Sequence, residues 1–235
     1  MRINFEITLK KNELPFDYRK GFISLIKKAL EFEDRILLDK YYKNKMQKPF
    51  TFSVYFPGLR GKSTENDFYV GEKAILNFSS NNPDLVVAIR NGMRKIKSFP
   101  LFYNEATYIS SFLDRNVKIQ TGKARFKTKS PFLVNMKGNN LKYLIPGEDE
   151  FNEAFAFNLK TTARNFLGIN DLEYELTPVF WKRKVVTHYN QNMSGVQGEF
   201  ILETRPEVLQ LIYDIGFGVR RSQGFGMLDI INRYE

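Results

Sequence analysis

The sequence predicts an α+β chain built from two successive β-α-β-β-α-β units, the split βαβ order. Three observations lead there. The 235 residues exceed what one small domain needs and suffice for two of ordinary size. Stretches of period-2 alternation are interleaved with stretches of helical spacing. The same order of elements then occurs twice, with the boundary at 113/114. Hydrophobic residues make up 43% of the chain, including 22 Phe and 12 Tyr, enough for a packed core in each half.

In the first half, residues 2 to 9 alternate as a strand. "LPFDYRKGFISLIKKALEFEDRILLDK" follows, with Phe22, Leu25, Ile26, Ala29 and Leu30 at helical spacing. "KPFTFSVYF" puts Phe50, Phe52, Val54 and Phe56 on one face of a second strand, and a third lies around 69 to 79. Asn82-Pro83 supplies a cap and the residue best tolerated in a helix's first turn, so a helix starts there. "LFYNEATYISSFL" ends the half as a strand.

The second half opens with "VKIQTGKARFKTKSPFLVNM", strand-like and broken at Ser130-Pro131. A helix over 148 to 168 stops at Gly168. "PVFWKRKVVTHYN" and "GVQGEFILE" form two strands around a polar turn. A helix starting at Pro206 and a last strand in "GFGMLDIINRY" complete the unit.

The composition excludes several classes. No apolar run reaches the ~18 to 20 residues of a membrane span. "MRINFEITLK" lacks the apolar core and small-residue cleavage site of a signal peptide. The absence of cysteine rules out disulfides and thiolate metal sites and fits a cytoplasmic protein. No metal site and no cofactor are expected. The formal net charge of +10 favours a polyanionic partner, nucleic acid first. Between Glu105 and Glu148 the only acid is Asp114, against eight bases. Among them Lys123, Arg125, Lys127 and Lys129 share one face of a regular strand, opposite Ala124 and Phe126. That face is either a solvated sheet surface or a track for a phosphate backbone. Trp181 with Lys182, Arg183 and Lys184 is a weaker candidate of the same kind, since the indole suits a core equally well.

"GFGVRRSQGFGM" (216 to 227) is the most concentrated feature. Gly216, Gly218, Gly224 and Gly226 surround Arg220, Arg221, Ser222 and Gln223. A dinucleotide fingerprint fails, because the stretch follows a helix and Arg221 stands where a third glycine belongs. A P-loop fails too: five residues separate Gly218 from Gly224, and Phe225 follows instead of lysine. Two readings remain. The glycines serve a helix cap and a turn before the last strand, or their bare N–H groups and the two arginines lie against phosphates.

This stretch resembles the glycine-rich signature of the RAMP superfamily. Within it the chain is similar to the CRISPR-associated endoribonucleases that cut precursor CRISPR RNA. "LPFDYRKGFISLIKKAL", "KPFTFS" and "KSPFLV" extend the resemblance over the whole length. It implies two tandem ferredoxin-like (βαββαβ) domains of RAMP type, 1–113 and 114–235, and a glycine-rich loop that contacts CRISPR repeat RNA. It further implies metal-independent cleavage, in which the 2′-hydroxyl attacks the scissile phosphorus. A CRISPR effector complex and a homodimer are further partners the resemblance allows. A non-catalytic RNA-binding subunit of such a complex is the alternative function.

Many family members use a histidine just after the first helix, with a tyrosine and a lysine. Here that stretch is "LLDKYYKNKMQKPFTFS", without histidine; the only His in the chain is His188. The resemblance therefore moves the chemistry to Tyr41, Tyr42, Lys43, Lys45 and Lys48. Mutual repulsion is expected to lower the lysine pKa values, and neighbouring cations those of the tyrosines. Cleavage is expected to depend on this cluster rather than on His188, with Tyr42→Phe or Lys45→Ala slowing it ~10²- to 10³-fold. A lone histidine in a strand is more often structural, so His188 is held in reserve.

Overall fold

The computed structural model describes residues 1–44, 46–115, 117–136, 138 and 142–233. The strands of the first half are β1 (Arg2–Leu9), β2 (Glu13–Pro15), β3 (Phe50–Tyr55), β4 (Gly61–Lys62), β5 (Asp67–Tyr69), β6 (Lys73–Ser80), β7 (Ser98–Leu101) and β8 (Asn104–Leu113). Its helices are α1 (Arg19–Glu33), α2 (Arg35–Tyr42) and α3 (Pro83–Lys95). The second half has β9 (Lys123–Thr128), α4 (Phe151–Leu167), β10 (Glu175–His188), β11 (Gln191–Glu203), α5 (Pro206–Ile215) and β12 (Leu228–Arg233). A single 3₁₀ turn, Arg221–Gln223, precedes β12.

Two compact units result. One takes Met1–Asn116 together with Thr187–Gln191, the other Val117–Val186 and Asn192–Glu235. The first sheet runs β3-β6-β1-β8-β7 and the second β10-β11-β9-β12, with antiparallel neighbours. In both, the first strand of the unit is central, flanked by the third and the last, with the second beyond the third. That is the ferredoxin-like arrangement, twice. The small sheet β2-β5-β4 is an addition to the first unit.

Alternation dictates each central strand. In β1 the side chains of Ile3, Phe5, Ile7 and Leu9 are buried, and Phe5 stands opposite Leu76 of β6. In β9, Ala124 and Phe126 are buried, with Phe126 opposite Phe200 of β11 and Ile230 of β12. The first core gathers Phe5, Phe22, Phe50, Phe52 and Phe78; the second gathers Phe126, Phe132, Phe155, Phe200 and Phe217. Burying an aromatic or aliphatic side chain contributes roughly 1.5–3 kcal/mol, so each unit has ample means to hold itself together.

Three local features differ from the sequence reading. The first helix is two, because Asp34 leaves the helical region and caps α2, its Oδ1 accepting from the Leu37 N–H at 2.9 Å. "LFYNEATYISSFL" spans a hairpin, β7 to β8, turning at Phe102 with φ 62°. The β10–β11 turn falls on Tyr189-Asn190, and the polar residues expected to form it begin β11 instead.

Candidate functional site

Tyr41 and Tyr42 end α2, and the residues around them fix their orientation. Tyr41 is 2% exposed and its hydroxyl accepts from Asn82 Nδ2 at 3.0 Å. Asn82 is itself the cap of α3, its Oδ1 accepting from the Asp84 N–H at 3.0 Å. That contact ties the end of α2 to the start of α3 and takes Tyr41 out of solvent. Tyr41 is thus a packing residue, a correction to its place among the chemical candidates.

Tyr42 carries two lysines on its ring. Lys27 Nζ of α1 lies 4.7 Å from the ring centroid and Lys48 Nζ 5.0 Å. Such contacts are worth about 0.5–1 kcal/mol each at an exposed site. Lys48 precedes Pro49, whose carbonyl accepts from Ser80 Oγ at 2.6 Å, so the entry into β3 is pinned to β6. Among the described residues neither lysine is paired with a carboxylate. Burial, helped by the charge of Lys27, holds the Lys48 amine below the ordinary lysine value.

Tyr42 behaves opposite to the expectation that neighbouring cations lower its pKa. Burial pushes the phenol up, and Tyr189 nearby adds to the effect. Desolvation of the phenolate outweighs the lysines, which face the ring rather than the oxygen. The hydroxyl is buried, with no hydrogen-bond partner among the described residues. Lys43 extends away and pairs with Asp39 at 2.7 Å, an exposed i,i+4 contact along α2. Lys45 lies outside the described residues. His188 is fully buried, its Nδ1 2.9 Å from Asp17 Oδ1, and no face of it reaches solvent.

The glycine-rich stretch is folded inward. The Phe217 N–H donates to the Gly226 carbonyl at 2.8 Å, the Gly226 N–H to Pro131 O at 2.8 Å and the Gly224 N–H to Arg221 O at 3.1 Å. Gly218 and Gly226 have φ 83° and 70°; a β-carbon on either would overlap the carbonyl of Leu133 or of Phe217. Close backbone approach within the second unit therefore accounts for both glycines, and these N–H groups are already engaged. Arg221 is 6% exposed, donating to Gly218 O at 3.0 Å and Thr162 Oγ1 at 3.3 Å; burial lowers its pKa to about 10. Arg220 is half-buried, bonded to the Tyr143 hydroxyl and to Gln223 Oε1 at 3.0 Å. Ser222 sits with Arg221 and Gln223 in the 3₁₀ turn, and Gly216 ends α5 at φ 82°. The picture of bare backbone lying open beside two free arginines is corrected: Arg221 is a core cation.

The basic face of β9 is likewise engaged. Lys123 pairs with Glu203 at 2.6 Å, Arg125 with Glu199 at 2.7 Å, Lys127 with Glu199 at 3.5 Å and Lys129 with Asp229 at 3.7 Å. The Arg125 guanidinium holds Glu199 below the usual carboxylate range. The four side chains share one face as the alternation requires, but acids from β11 and β12 stand opposite each. An unopposed positive track is not what the strands build. Trp181 packs edge-on against Phe151 and Phe132, its ring centroid 5.3 Å from that of Phe151.

Residues 114–230 match the family model described as CRISPR associated protein Cas6, C-terminal. A curated relative, the CRISPR-associated endoribonuclease Cas6 of Pyrococcus furiosus, is 22% identical over 227 residues, which cover 93% of this chain and 84% of that protein. Over residues 114–230 the chain matches the Cas6 family. Its fold agrees throughout. A solved Cas6-related protein of Pyrococcus furiosus superposes with TM-score 0.84 at 21% identity, covering 100% of this chain and 99% of that one. A RAMP protein described as binding different RNA substrates superposes with TM-score 0.83 at 21% identity, covering 99% and 100%. No helix among the described residues is long and apolar enough to cross a membrane.

Sequence reasoning missed Lys27, Asp17 and Tyr189. Lys27 is 15 residues upstream of Tyr42, on α1. The available signal was its position outside the apolar stripe Phe22, Leu25, Ile26, Ala29 and Leu30, which fixes the side α1 leaves to solvent.

Proposed function

We propose that this protein is an endoribonuclease that binds CRISPR repeat RNA and matures precursor CRISPR RNA, with Lys27 and Lys48 as its reacting groups and Tyr42 as the platform that positions them. The observation that carries the reading is the pair of lysines, without a carboxylate partner among the described residues, on one half-buried tyrosine ring. The likeness to Cas6 supports the substrate class.

The chemistry needs a base for the 2′ proton, a cation for the charge on phosphorus and an acid for the leaving oxygen. Lys48, whose amine is easier to deprotonate than an ordinary lysine, takes the 2′ proton. The 2′-oxygen forms a bond to phosphorus while the bond to the 5′-oxygen breaks. Lys27, as an ammonium, stabilises the phosphorane charge and gives a proton to the departing 5′-oxygen. The products are a 2′,3′-cyclic phosphate and a 5′-hydroxyl, so no metal enters the balance. The Tyr42 phenol stays neutral and its hydroxyl is covered, so its ring rather than its oxygen serves the reaction.

The test is single-turnover cleavage of labelled repeat RNA in EDTA. We expect one discrete cut ending in a cyclic phosphate. Lys48→Ala should slow it ~10²- to 10³-fold, the usual loss for a proton-transferring or charge-stabilising group, with RNA affinity within a few-fold. Tight binding with intact RNA from the parent protein would instead mark a non-catalytic RNA-binding subunit.

A further inference from the structure

The turn from β10 to β11 is made by Tyr189 and Asn190, at φ 50° and 60°. Two successive left-handed residues match the twist of antiparallel strands, and Asn or Gly ordinarily fills them. Asn190 suits its place. Tyr189 does not, because in this conformation its Cβ crowds the following carbonyl.

A buried carboxylate holds that conformation. Asp17 Oδ1 lies 2.9 Å from His188 Nδ1, and Oδ2 accepts from the Tyr189 N–H at 2.7 Å and pairs with Lys20 Nζ at 2.8 Å. Asp17 and His188 are both buried. The His188 ring packs edge-on against the Tyr189 ring, centroids 4.5 Å apart. All four residues belong to the first unit.

The strain does not serve burial, because Tyr189 remains 50% exposed. Lys20 Nζ stands 5.6 Å from its ring centroid, and its phenol is near enough to Tyr42 to oppose ionisation there. A strained residue fixed by several buried contacts, yet left open beside a site, points to a ligand. We propose that Tyr189 stacks on an unpaired base of the repeat RNA next to the scissile phosphate, with Asp17 and His188 as the positioning residues that hold it there. Aromatic side chains are the usual platforms for splayed single-stranded bases. The inference rests on reading the Tyr42 cluster as the ribonuclease centre.

Tyr189→Asn installs a residue the turn accepts, so folding and RNA contact separate. With repeat RNA made non-cleavable by a 2′-deoxy group at the cut site, its affinity should fall about five- to hundredfold, the range for one lost stacked base. Its unfolding temperature should stay level or rise. Tyr189→Phe keeps the ring and should bind within about twofold of the parent. Asp17→Asn should lose affinity comparably, and adding it to Tyr189→Asn should cost nothing more, as expected if both act through one contact. Full affinity in Tyr189→Asn overturns the proposal, even if Asp17→Asn fails to fold. Lys48→Ala is measured alongside: wild-type cleavage there sinks the site reading, whereas slow Lys48→Ala with tight-binding Tyr189→Asn sinks the stacking role alone.

Discussion

The glycine-rich stretch and the segment after α2 both combine cations with aromatic neighbours, and the fold treats them in opposite ways. In "GFGVRRSQGFGM" the backbone N–H groups of Phe217, Gly224 and Gly226 bond to carbonyls of the same unit. Arg221 is buried against Gly218 O and Thr162. After α2, Lys48 is half-buried without a carboxylate partner among the described residues, and α1 brings Lys27 to the same ring. The difference lies in what each stretch has nearby. The glycine loop is threaded between the end of α5 and β12, where every polar atom must find a partner or cost about 1–3 kcal/mol. The lysines stand at the rim of the first core, over the ring of Tyr42, where no carboxylate among the described residues meets them. Charge concentrated in sequence marks a binding site only where the fold leaves it unspent.

The largest effect that separates the two regions is structural. Gly226→Val places a branched Cβ at φ 70° and onto the Phe217 carbonyl. We expect more than about 4 kcal/mol of destabilisation, the scale reserved for backbone strain combined with overpacking. Thermal unfolding measures it. A folded Gly226→Val protein that has lost only RNA binding would return the loop to the role of a phosphate cradle.

Next in size is a pH effect at the lysines. If neutral Lys48 takes the 2′ proton, cleavage rises with pH through the Lys48 pKa. Lys27 is one of the causes that hold that pKa down, after burial. Lys27→Met removes the neighbouring charge, so less of the amine is neutral at a given pH and the midpoint of the rate profile moves upward. The plateau should also fall if Lys27 has the proposed role of stabilising the phosphorane charge. A profile whose midpoint stays put, or moves down, means that Lys48 does not act as the base.

How far the sequence could be read follows from the range of the forces involved. Period-2 spacing and the caps and stops at Asn82-Pro83, Gly168 and Pro206 are local signals, and they place β1, β3, α3, β9, α4, α5 and β12. The break at Asp34 was written in the sequence as a capping residue, but within the charged stretch Glu31-Phe32-Glu33-Asp34-Arg35 one more acid does not stand out. The Ser130-Pro131 break is legible because proline removes a ladder donor. The site was legible only in part. Tyr42 and Lys48 lie six residues apart and fall together in any reading of the loop. Lys27 reaches them through the packing of α1, and Asp17 meets His188 across 171 positions of sequence. Contacts of that kind come from topology, and no periodicity encodes them. The inward turn of Arg221 is illegible for the same reason: its partner Thr162 belongs to α4.

The basic face of β9 sharpens the comparison at a smaller scale. Exposed ion pairs contribute little to stability, about 0–1 kcal/mol, but they do cancel the field a polyanion would meet. Neutralising Arg125, Lys127 and Lys129 together removes cations already opposed by Glu199 and Asp229. The slope of log affinity against log salt should therefore flatten by less than about one unit in all, against nearly three for three phosphate contacts. A filter-binding series from low to moderate salt decides it, and a change near three units restores the track.

The smallest expected effect bears most directly on the site. Tyr42→Phe keeps the ring under Lys27 and Lys48 and deletes a buried hydroxyl that has no partner among the described residues. An unsatisfied buried polar group costs roughly 1–3 kcal/mol, so its removal should raise stability by about 1 kcal/mol. Single-turnover cleavage should stay within about threefold of the parent, because the platform is the ring. This reverses the 10²- to 10³-fold loss that the sequence alone suggested for the same substitution, and the reason is the covered oxygen. Tyr42→Ala, which removes the platform itself, should slow cleavage at least about tenfold while leaving both lysines in the chain. The ordering of these two variants is the result to watch. If Tyr42→Phe is as slow as Tyr42→Ala at unchanged RNA affinity, the phenol exchanges a proton with the RNA, and Tyr42 belongs with Lys48 as a catalytic residue.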